Sequence, residues 1–444
     1  MTVTKILHVD TLNQNKRLFN ILLLVIIGAY VYLQVYHFLA IPDPLLFPDS
    51  ARYLKTTTVF SDALLPEHGV TPPVVPLIYK LLGEDINVIA FSQLVLSILS
   101  WVFLSYAVSR TMKSVWISLI AFIAILTFSL SSAISLWNGV ILSESLSLSI
   151  FACFIGSWIL MFEKQSLKRS LLLITASVLF ALSRTAHVYL LLMLGCILGV
   201  AGLFNLRAVK RKYCLAFSVI YIVMSLLSNV SANVGTQWTV YFVDVLSTRI
   251  LPDPEKREYF EKHGMPVDEN LMKLEGKFAQ EGNWAFHNDP NLEEFRKWLY
   301  SSGKSTYVRF LLTHPHFLIT GPFEDFLQMM YGYRLIYYAP KGYSSPLGAL
   351  FDYMDSPLIF PIYIFAAGIL AGMNLIFAGS GKSTVSLVPI IMMLLVYPLM
   401  ALVWHADSHE LERHVLTFSV QARLSYILLG LFTINALFST SSQN

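Results

Sequence analysis

The stretch "RLFNILLLVIIGAYVYLQVYHFLAIPDPLLFPDSARY", Arg17 to Tyr53, decides the class of this chain. Basic residues are followed by an apolar run over 18–39, then by three prolines and two acids, Asp43 and Asp49. A run of that length crosses a hydrocarbon core as a helix. It is too long for a signal-peptide core and has no small-x-small cleavage site, so it reads as an uncleaved first span. The rest of the 444 residues agrees: 55% are hydrophobic, 13% are charged, and the mean hydropathy is +0.61. Soluble globular chains carry nearer a quarter charged residues. The expected fold is therefore an all-α polytopic membrane protein.

Ten spans are expected, over 18–39, 88–108, 115–134, 144–162, 170–183, 186–204, 214–231, 357–377, 385–404 and 420–438. The fifth is short and meets the sixth at "SRTA", a broken or tilted hairpin. Orientation follows from lysine and arginine in the short loops. With the N-terminus inside, thirteen basic residues, from Lys5 to Lys382, fall on the cytoplasmic side against only Asp10 and Glu163. Both termini are then cytoplasmic, in a plasma (inner) membrane. The organisation reads as an N-terminal transmembrane module, 1–231, with a first outer loop over 40–87. An extracytoplasmic, mainly helical region follows over 232–356, and a C-terminal transmembrane module over 357–444. Within the outer region, "DPEKREYFEKHG" has the signature of a helix, with Asp253 as N-cap, Pro254 at its first position and Gly264 at its end. No internal repeat is evident. Cys153, Cys196 and Cys214 all lie in or beside apolar segments, which excludes a disulfide framework in the outer region. Nothing points to nucleic acid.

Ionisable groups at membrane depth are costly and are candidates for function. Acids gather at the outer boundary: Asp49 after span one, Glu144 opening span four in "LSESLSLS", and Asp407, Glu410 and Glu412 before span ten. Each has a structural reading beside the functional one. Asp49 or Ser50 can cap the helix that follows, and Glu144 can be a first-turn acid favoured by the helix dipole, with Ser143 as cap. Arg184, in "ALSRTAHVY", can grip a phosphate through forked hydrogen bonds or snorkel to the headgroups. Arg413 and His414 offer a second anion contact. His405 and His409 are four apart and would share a helix face, as zinc ligands can, but no H-E-x-x-H accompanies them; a divalent metal is possible and not favoured. The phosphate-loop-like "AGSGKST" at 378–384 fails its pattern, because Ile376 stands where the first glycine is needed. Aromatics of the outer region, including Trp238, Trp284, Trp298 and "MMYGYRLIYY", can stack on sugars or form its core.

The outer "PDSARY" after an N-terminal span, the proline-rich "TPPVVPLIYKLL", "LSESLSLS", "SRTAHVYLLL", "RILPDPEKREYFEKHGMP" and the spaced Asp407, Glu410, Arg413 and His414 together resemble the GT-C class of membrane glycosyltransferases, in an uncharacterised bacterial branch. The resemblance implies a polyprenyl-phosphate-linked sugar donor, a glycan, lipid or protein acceptor, membrane lipids as surroundings, and no resident cofactor. It implies that Asp49 is the general base. Arg184, with Arg413 and His414, would stabilise the leaving phosphate. Glu144 would bind sugar hydroxyls or help orient the acceptor, and Tyr53, Glu410 and Asp407 would line the same cavity. A transporter or flippase, a ligase or polymerase of lipid-linked glycans, and a non-catalytic assembly protein are the rival readings.

Overall fold

The computed structural model describes residues 3–40, 43–54, 72–205, 209–234, 238–331, 360–379 and 384–441. The expected all-helical architecture is what it shows: the described residues form helices throughout, with a single isolated β-bridge between Leu45 and Val140. The long helices are α1 (Val3–Leu39), α4 (Ile86–Ser109), α7 (Glu144–Glu163), α9 (Thr185–Leu203), α10 (Arg211–Val234), α17 (Leu387–Ala406) and α19 (Leu416–Ser441). All seven are long and apolar enough to cross a membrane. The third expected span is α5 (Val115–Ser129) followed, after a 60° bend, by α6 (Ser132–Ser135) and a 3-10 turn to Gly139; together they make an eighth. Of the other two expected spans, the fifth is short and the eighth, at 20 residues, is as long as α7. Helix α8 (Leu167–Ala181) has 15 residues, about 22 Å of axis against a hydrocarbon core of about 30 Å. Helix α16 (Phe360–Gly379) has its described apolar part at Ile362–Ile376. The break therefore lies in the third span; α8 and α9 form a hairpin.

Ion pairs fix the direction of the bundle. Arg110, at the end of α4, and Arg169, at the start of α8, both pair with Glu163 at the end of α7, at 3.3 and 2.9 Å. Lys210 N–H donates to Gln165 beside them. The opposite end of the bundle thus carries the end of α1, the start of α7, the α8–α9 turn and the turn between α17 and α19. Helices α9 and α10 pack closely because glycines face α10: a Cβ on Gly199 would lie 2.9 Å from Ser218 Oγ, and one on Gly195 3.4 Å from the Ser218 carbonyl. This is the small-residue contact by which membrane helices approach one another.

The polar region after α10 is not a separate body. It contains α11 (Trp238–Val245), α12 (Pro254–Lys262), α13 (Lys304–Thr313), α14 (Pro315–Thr320) and α15 (Phe326–Tyr331), with shorter helices among them. Its Phe242, Phe260, Phe310 and Phe317 belong to the same buried cluster as Trp404 of α17 and Phe418 of α19. Helix α12 begins as its sequence dictates: Asp253 Oδ1 accepts from the amides of Glu255 and Lys256, and Gly264 ends it at φ +87°. Most of its aromatics build core: Trp298 is buried and donates to the His263 carbonyl. The run from Gly332 to Tyr338 and residues 380–383 lie outside the described residues.

One side chain holds the backbone that leads into α7. Gln93, buried on α4, donates to the carbonyls of Asn138 (3.2 Å) and Val140 (2.9 Å) and accepts from Tyr79 Oη, which lies 2.6 Å from the Leu142 carbonyl. Gln93→Leu leaves the buried Asn138 carbonyl without its donor, worth about 1–3 kcal/mol, and the Val140 carbonyl with only the Leu142 amide. The variant is expected to unfold at lower temperature in detergent than the wild type, whereas Gln421→Leu, which removes one such donor, is expected to lose less.

Candidate active site

Three distant parts of the chain are brought together at the end of the bundle where α1 stops. After α1 the chain turns back, and Leu45 pairs with Gly139 and Ile141 through two backbone hydrogen bonds of 2.8 and 3.0 Å. Phe47 is buried, and its amide donates to Ser50 Oγ at 2.8 Å, which opens α2 (Ser50–Leu54). Asp49 directly precedes that helix. Its carboxylate accepts from Arg413 Nη2 at 2.6 Å, across 364 positions of sequence.

Arg413 is the centre of the site. It lies in α18 (Leu411–His414), a single turn between α17 and α19. Besides Asp49 it pairs with Glu410 at 3.0 Å, and its Nε lies 3.5 Å from Glu144 Oε1 without hydrogen-bond geometry. Glu144, at the first turn of α7, is only 2% exposed and also takes Arg184 Nη2 at 3.4 Å. Arg184, in the α8–α9 turn, donates its other nitrogen to the Arg413 carbonyl at 3.2 Å. Glu144 thus has a larger part than a dipole-favoured first-turn acid, and Arg184 is turned inward rather than snorkelling to headgroups. The turn that carries Arg413 is strained: Glu410 sits at φ +49°, a left-handed conformation that costs a non-glycine residue of order 1 kcal/mol or more. Its carbonyl accepts from the amides of both Arg413 and His414.

A second charged pair adjoins the first. Asp407, buried, lies 2.7 Å from His414 Nδ1, and Tyr241 of α11 meets the His414 ring edge-on at 6.1 Å. Tyr53 Oη donates to Ser143 Oγ at 3.3 Å, beside Glu144. Glu412 points away and accepts from Gln328 at 2.8 Å.

Electrostatics separates these groups. Burial works to raise the Asp49 carboxyl, but the charge and hydrogen bond of Arg413, helped by Arg52 and His414, overcome it and hold the group below its ordinary value. It is a carboxylate at any physiological pH, and at 44% exposure it is the most open acid of the network. Burial alone would lower Arg413, yet Glu144, Glu410 and Asp49 together raise it, so the guanidinium is permanently charged. Burial, then the Glu144 charge, pushes the Tyr53 phenol up, which leaves it a neutral donor.

His405 and His409 do not form the helical ligand pair that their spacing allows. Helix α17 stops at Ala406, and Asp407 is extended. His405 Nε2 donates to the Leu318 carbonyl at 2.9 Å and Nδ1 lies 3.2 Å from Tyr307 Oη, while the His409 ring lies against Phe278. Among the described residues no three His, Cys, Asp or Glu side chains group as metal ligands.

Sequence reading missed Tyr241, Asp244 and Arg249. Asp244 interrupts the apolar run "VYFVDVL", which is the signal that was there to find. It is buried, its Oδ1 accepts from the Ala279 amide at 2.6 Å, and its Oδ2 has no hydrogen-bond partner. Arg249 lies flat on Trp404 at 3.8 Å and donates to the Trp404 and Asp407 carbonyls, so it anchors the end of α17.

The comparisons with known proteins fit a membrane-embedded chain. Residues 74–322, more than half of the chain, match the model of the family described as the YfdI N-terminal transmembrane domain, and the protein belongs to that family. It is an integral membrane protein. The matched range contains Glu144 and Arg184 but neither Asp49 nor Arg413. No curated protein sequence matches the chain. Among solved structures it is similar to an archaeal oligosaccharyltransferase, AglB from Archaeoglobus fulgidus, determined with an inhibitory peptide and a dolichol-phosphate. The identity is 12% and the TM-score 0.44, over 94% of this chain and 50% of that one. The chain spans about half the length of that enzyme, and no residue's role follows from the likeness.

Asp244 predicts a pH dependence. Burial, opposed by the Ala279 amide and assisted by the charges of Asp407 and Glu281, raises its carboxyl to about 7. The folded protein then holds this proton more tightly than the unfolded chain. Its contribution to stability falls as pH rises from the ordinary carboxyl range to about 7 and is level above that. Asp244→Asn keeps the acceptor for Ala279 and removes the titration. Relative to wild type, the variant is expected to gain melting temperature on going from about pH 5 to about pH 8; a constant difference between the two would place the Asp244 carboxyl at its ordinary value.

Proposed function

We propose that the protein is a membrane glycosyltransferase, moving a sugar from a polyprenyl-phosphate donor to an acceptor hydroxyl at the end of the bundle that carries Asp49 and Arg413. If both termini are cytoplasmic, that end is extracytoplasmic. One observation carries the reading: an accessible carboxylate and a guanidinium, 2.6 Å apart, sit where the membrane spans end, backed by a buried acid and a second arginine. The motifs shared with GT-C enzymes supply the reaction class.

The polyprenyl tail would remain in lipid, with its phosphate at the interface. The acceptor oxygen attacks the anomeric carbon as the bond from that carbon to the phosphate oxygen breaks, with inversion and an oxocarbenium-like transition state, as in glycoside chemistry. The leaving phosphate keeps the electron pair and takes positive charge from Arg413. Asp49 receives the acceptor's proton. Arg184 is better placed to position Arg413, through its carbonyl and Glu144, than to touch the phosphate itself. With Arg413 engaged as it is here, Asp49 is a weak base. A phosphate that draws the guanidinium away would remove the main influence lowering this carboxyl and add a like charge nearby. The base then strengthens when donor is bound. Tyr53 would donate to a sugar oxygen, and Asp407 would fix the ring of His414 beside the phosphate.

The test uses labelled sugar supplied as its polyprenyl-phosphate ester to membranes that carry the native acceptors. Asp49→Asn is expected to reduce transfer about 100- to 10,000-fold, the usual contribution of a positioned base, at unchanged expression and with the protein still folded at the assay temperature. Transfer at the wild-type rate removes Asp49 as base. The 60° break after Ser129 is a feature that transporters also show. Movement of a solute by purified protein in liposomes without any polyprenyl donor would favour that reading instead.

A further inference from the structure

Helices α14 and α15 belong by sequence to the polar region after α10, and their place in the fold contradicts a wholly aqueous setting. They lie against the transmembrane helices from the end of α17, where His405 and Trp404 hold the Leu318 carbonyl and Asp325, inward to Tyr397. The Ile319 carbonyl accepts from Tyr397 Oη, and the Phe323 ring stacks on the Tyr397 ring at 4.8 Å. Tyr397 is nine residues before the end of α17, roughly 13 Å along its axis. Helix α17 has 20 residues, about the full thickness of a hydrocarbon core, so its Tyr397 is at acyl-chain depth. On the other side, the Met330 carbonyl accepts from Arg423 Nη2 at 2.7 Å and from Ser419 Oγ at 3.1 Å. Arg423 is seven residues into α19, roughly 10 Å below its start. Two independent anchors, on two different spans, thus hold the element below the helix ends, the second between the levels of Ser419 and Arg423, about 4 to 10 Å in. The approach is close: a Cβ on Gly321 would lie 2.7 Å from the Trp404 ring.

The exposed side chains of this stretch include His316, Thr320, Glu324 and Gln328, and three that are large and apolar. Ile319 is 57% exposed, Phe323 57% and Leu327 50%, and Leu394 on the neighbouring face of α17 is 69% exposed. The inner face is committed: Phe317 packs on Trp404, and Met329 and Met330 are buried. Water-facing short helices do not carry three large apolar side chains outward at the level of a membrane core, whereas an element lying in the lipid does.

We propose that residues 315–331 form a re-entrant element in the leaflet at the charged end of the bundle, with Ile319, Phe323 and Leu327 in contact with acyl chains. The same element touches the candidate site: Gln328 holds Glu412, and Asp325 accepts from Trp404 Nε1 and lies 3.8 Å from Arg249. It is therefore the wall between the charged network and the lipid on this side. The inference rests on depth alone and stands whether or not the protein transfers sugars.

Spin labels test it. In a background with the three cysteines replaced by alanine or serine, single cysteines are placed at Ile319, Phe323 and Leu327, at Leu394 as a lipid-facing reference and at Glu258, exposed on α12, as an aqueous one. The full-length variants are labelled in nanodiscs of phosphatidylethanolamine and phosphatidylglycerol. Their accessibility to oxygen, which partitions into lipid, is compared with that to a water-soluble nickel chelate. The ratio at all three positions is expected to match that at Leu394 and to exceed that at Glu258. A ratio like that at Glu258, or exclusion of both probes by a protein partner, overturns the proposal.

Discussion

Burying a charge in so apolar a chain is costly unless an opposite charge and hydrogen bonds accompany it, and Arg413 is where this constraint is met. Its guanidinium is shared among Asp49, Glu144 and Glu410, and Glu144 in turn holds Arg184. Removing one member leaves its partners uncompensated, so the groups specify one another's positions. The network ties the chain after α1, the start of α7, the α8–α9 turn and the α17–α19 turn into one end of the bundle. The left-handed backbone at Glu410 persists because both sides of that turn are fixed in this way.

The same arrangement sorts the groups by what they can do. Glu144 and Arg184 are enclosed and serve as support. Asp49 is open and always charged, Tyr53 is neutral, and His414 is held by Asp407. The bridge at Leu45, the Gln93 hydrogen bonds and the Arg249–Trp404 stack each place one edge of this site from outside it. Preorganisation of that kind, with supporting side chains locked by their own partners, is what chemistry at an interface needs. The re-entrant element fits the same logic, because it closes the lipid-facing side of the turn that carries Arg413.

Much of this was legible in the sequence where the signal is local. The apolar segments became helices at nearly the expected positions, and the Asp253–Pro254–Gly264 pattern formed the helix it describes. Of the acids singled out at one boundary, Asp49, Glu144 and Glu410 converge on Arg413 and Asp407 adjoins them through His414, while Glu412 points away. What could not be read was who pairs with whom. Asp49 and Arg413 are 364 positions apart, and nothing in either neighbourhood names the other. Arg184 looked like an anion grip because an arginine between apolar stretches says nothing about the acid it meets. His405 and His409 share no helix face because α17 stops at Ala406, which their spacing does not reveal. The stretch 315–331 was legible only as part of the outer helical region, because its local sequence does not say that some of its side chains face α17 and α19 and others face outward.

The pairing at the centre is open to direct measurement by a double-mutant cycle on unfolding free energy in mixed micelles, using Asp49→Asn, Arg413→Gln and the combination. If the two side chains share one site, the effects are coupled: the combined variant should be less destabilised than the sum of the single ones by more than about 0.5 kcal/mol. Strict additivity would mean that Asp49 and Arg413 do not meet, and the site as described would not exist.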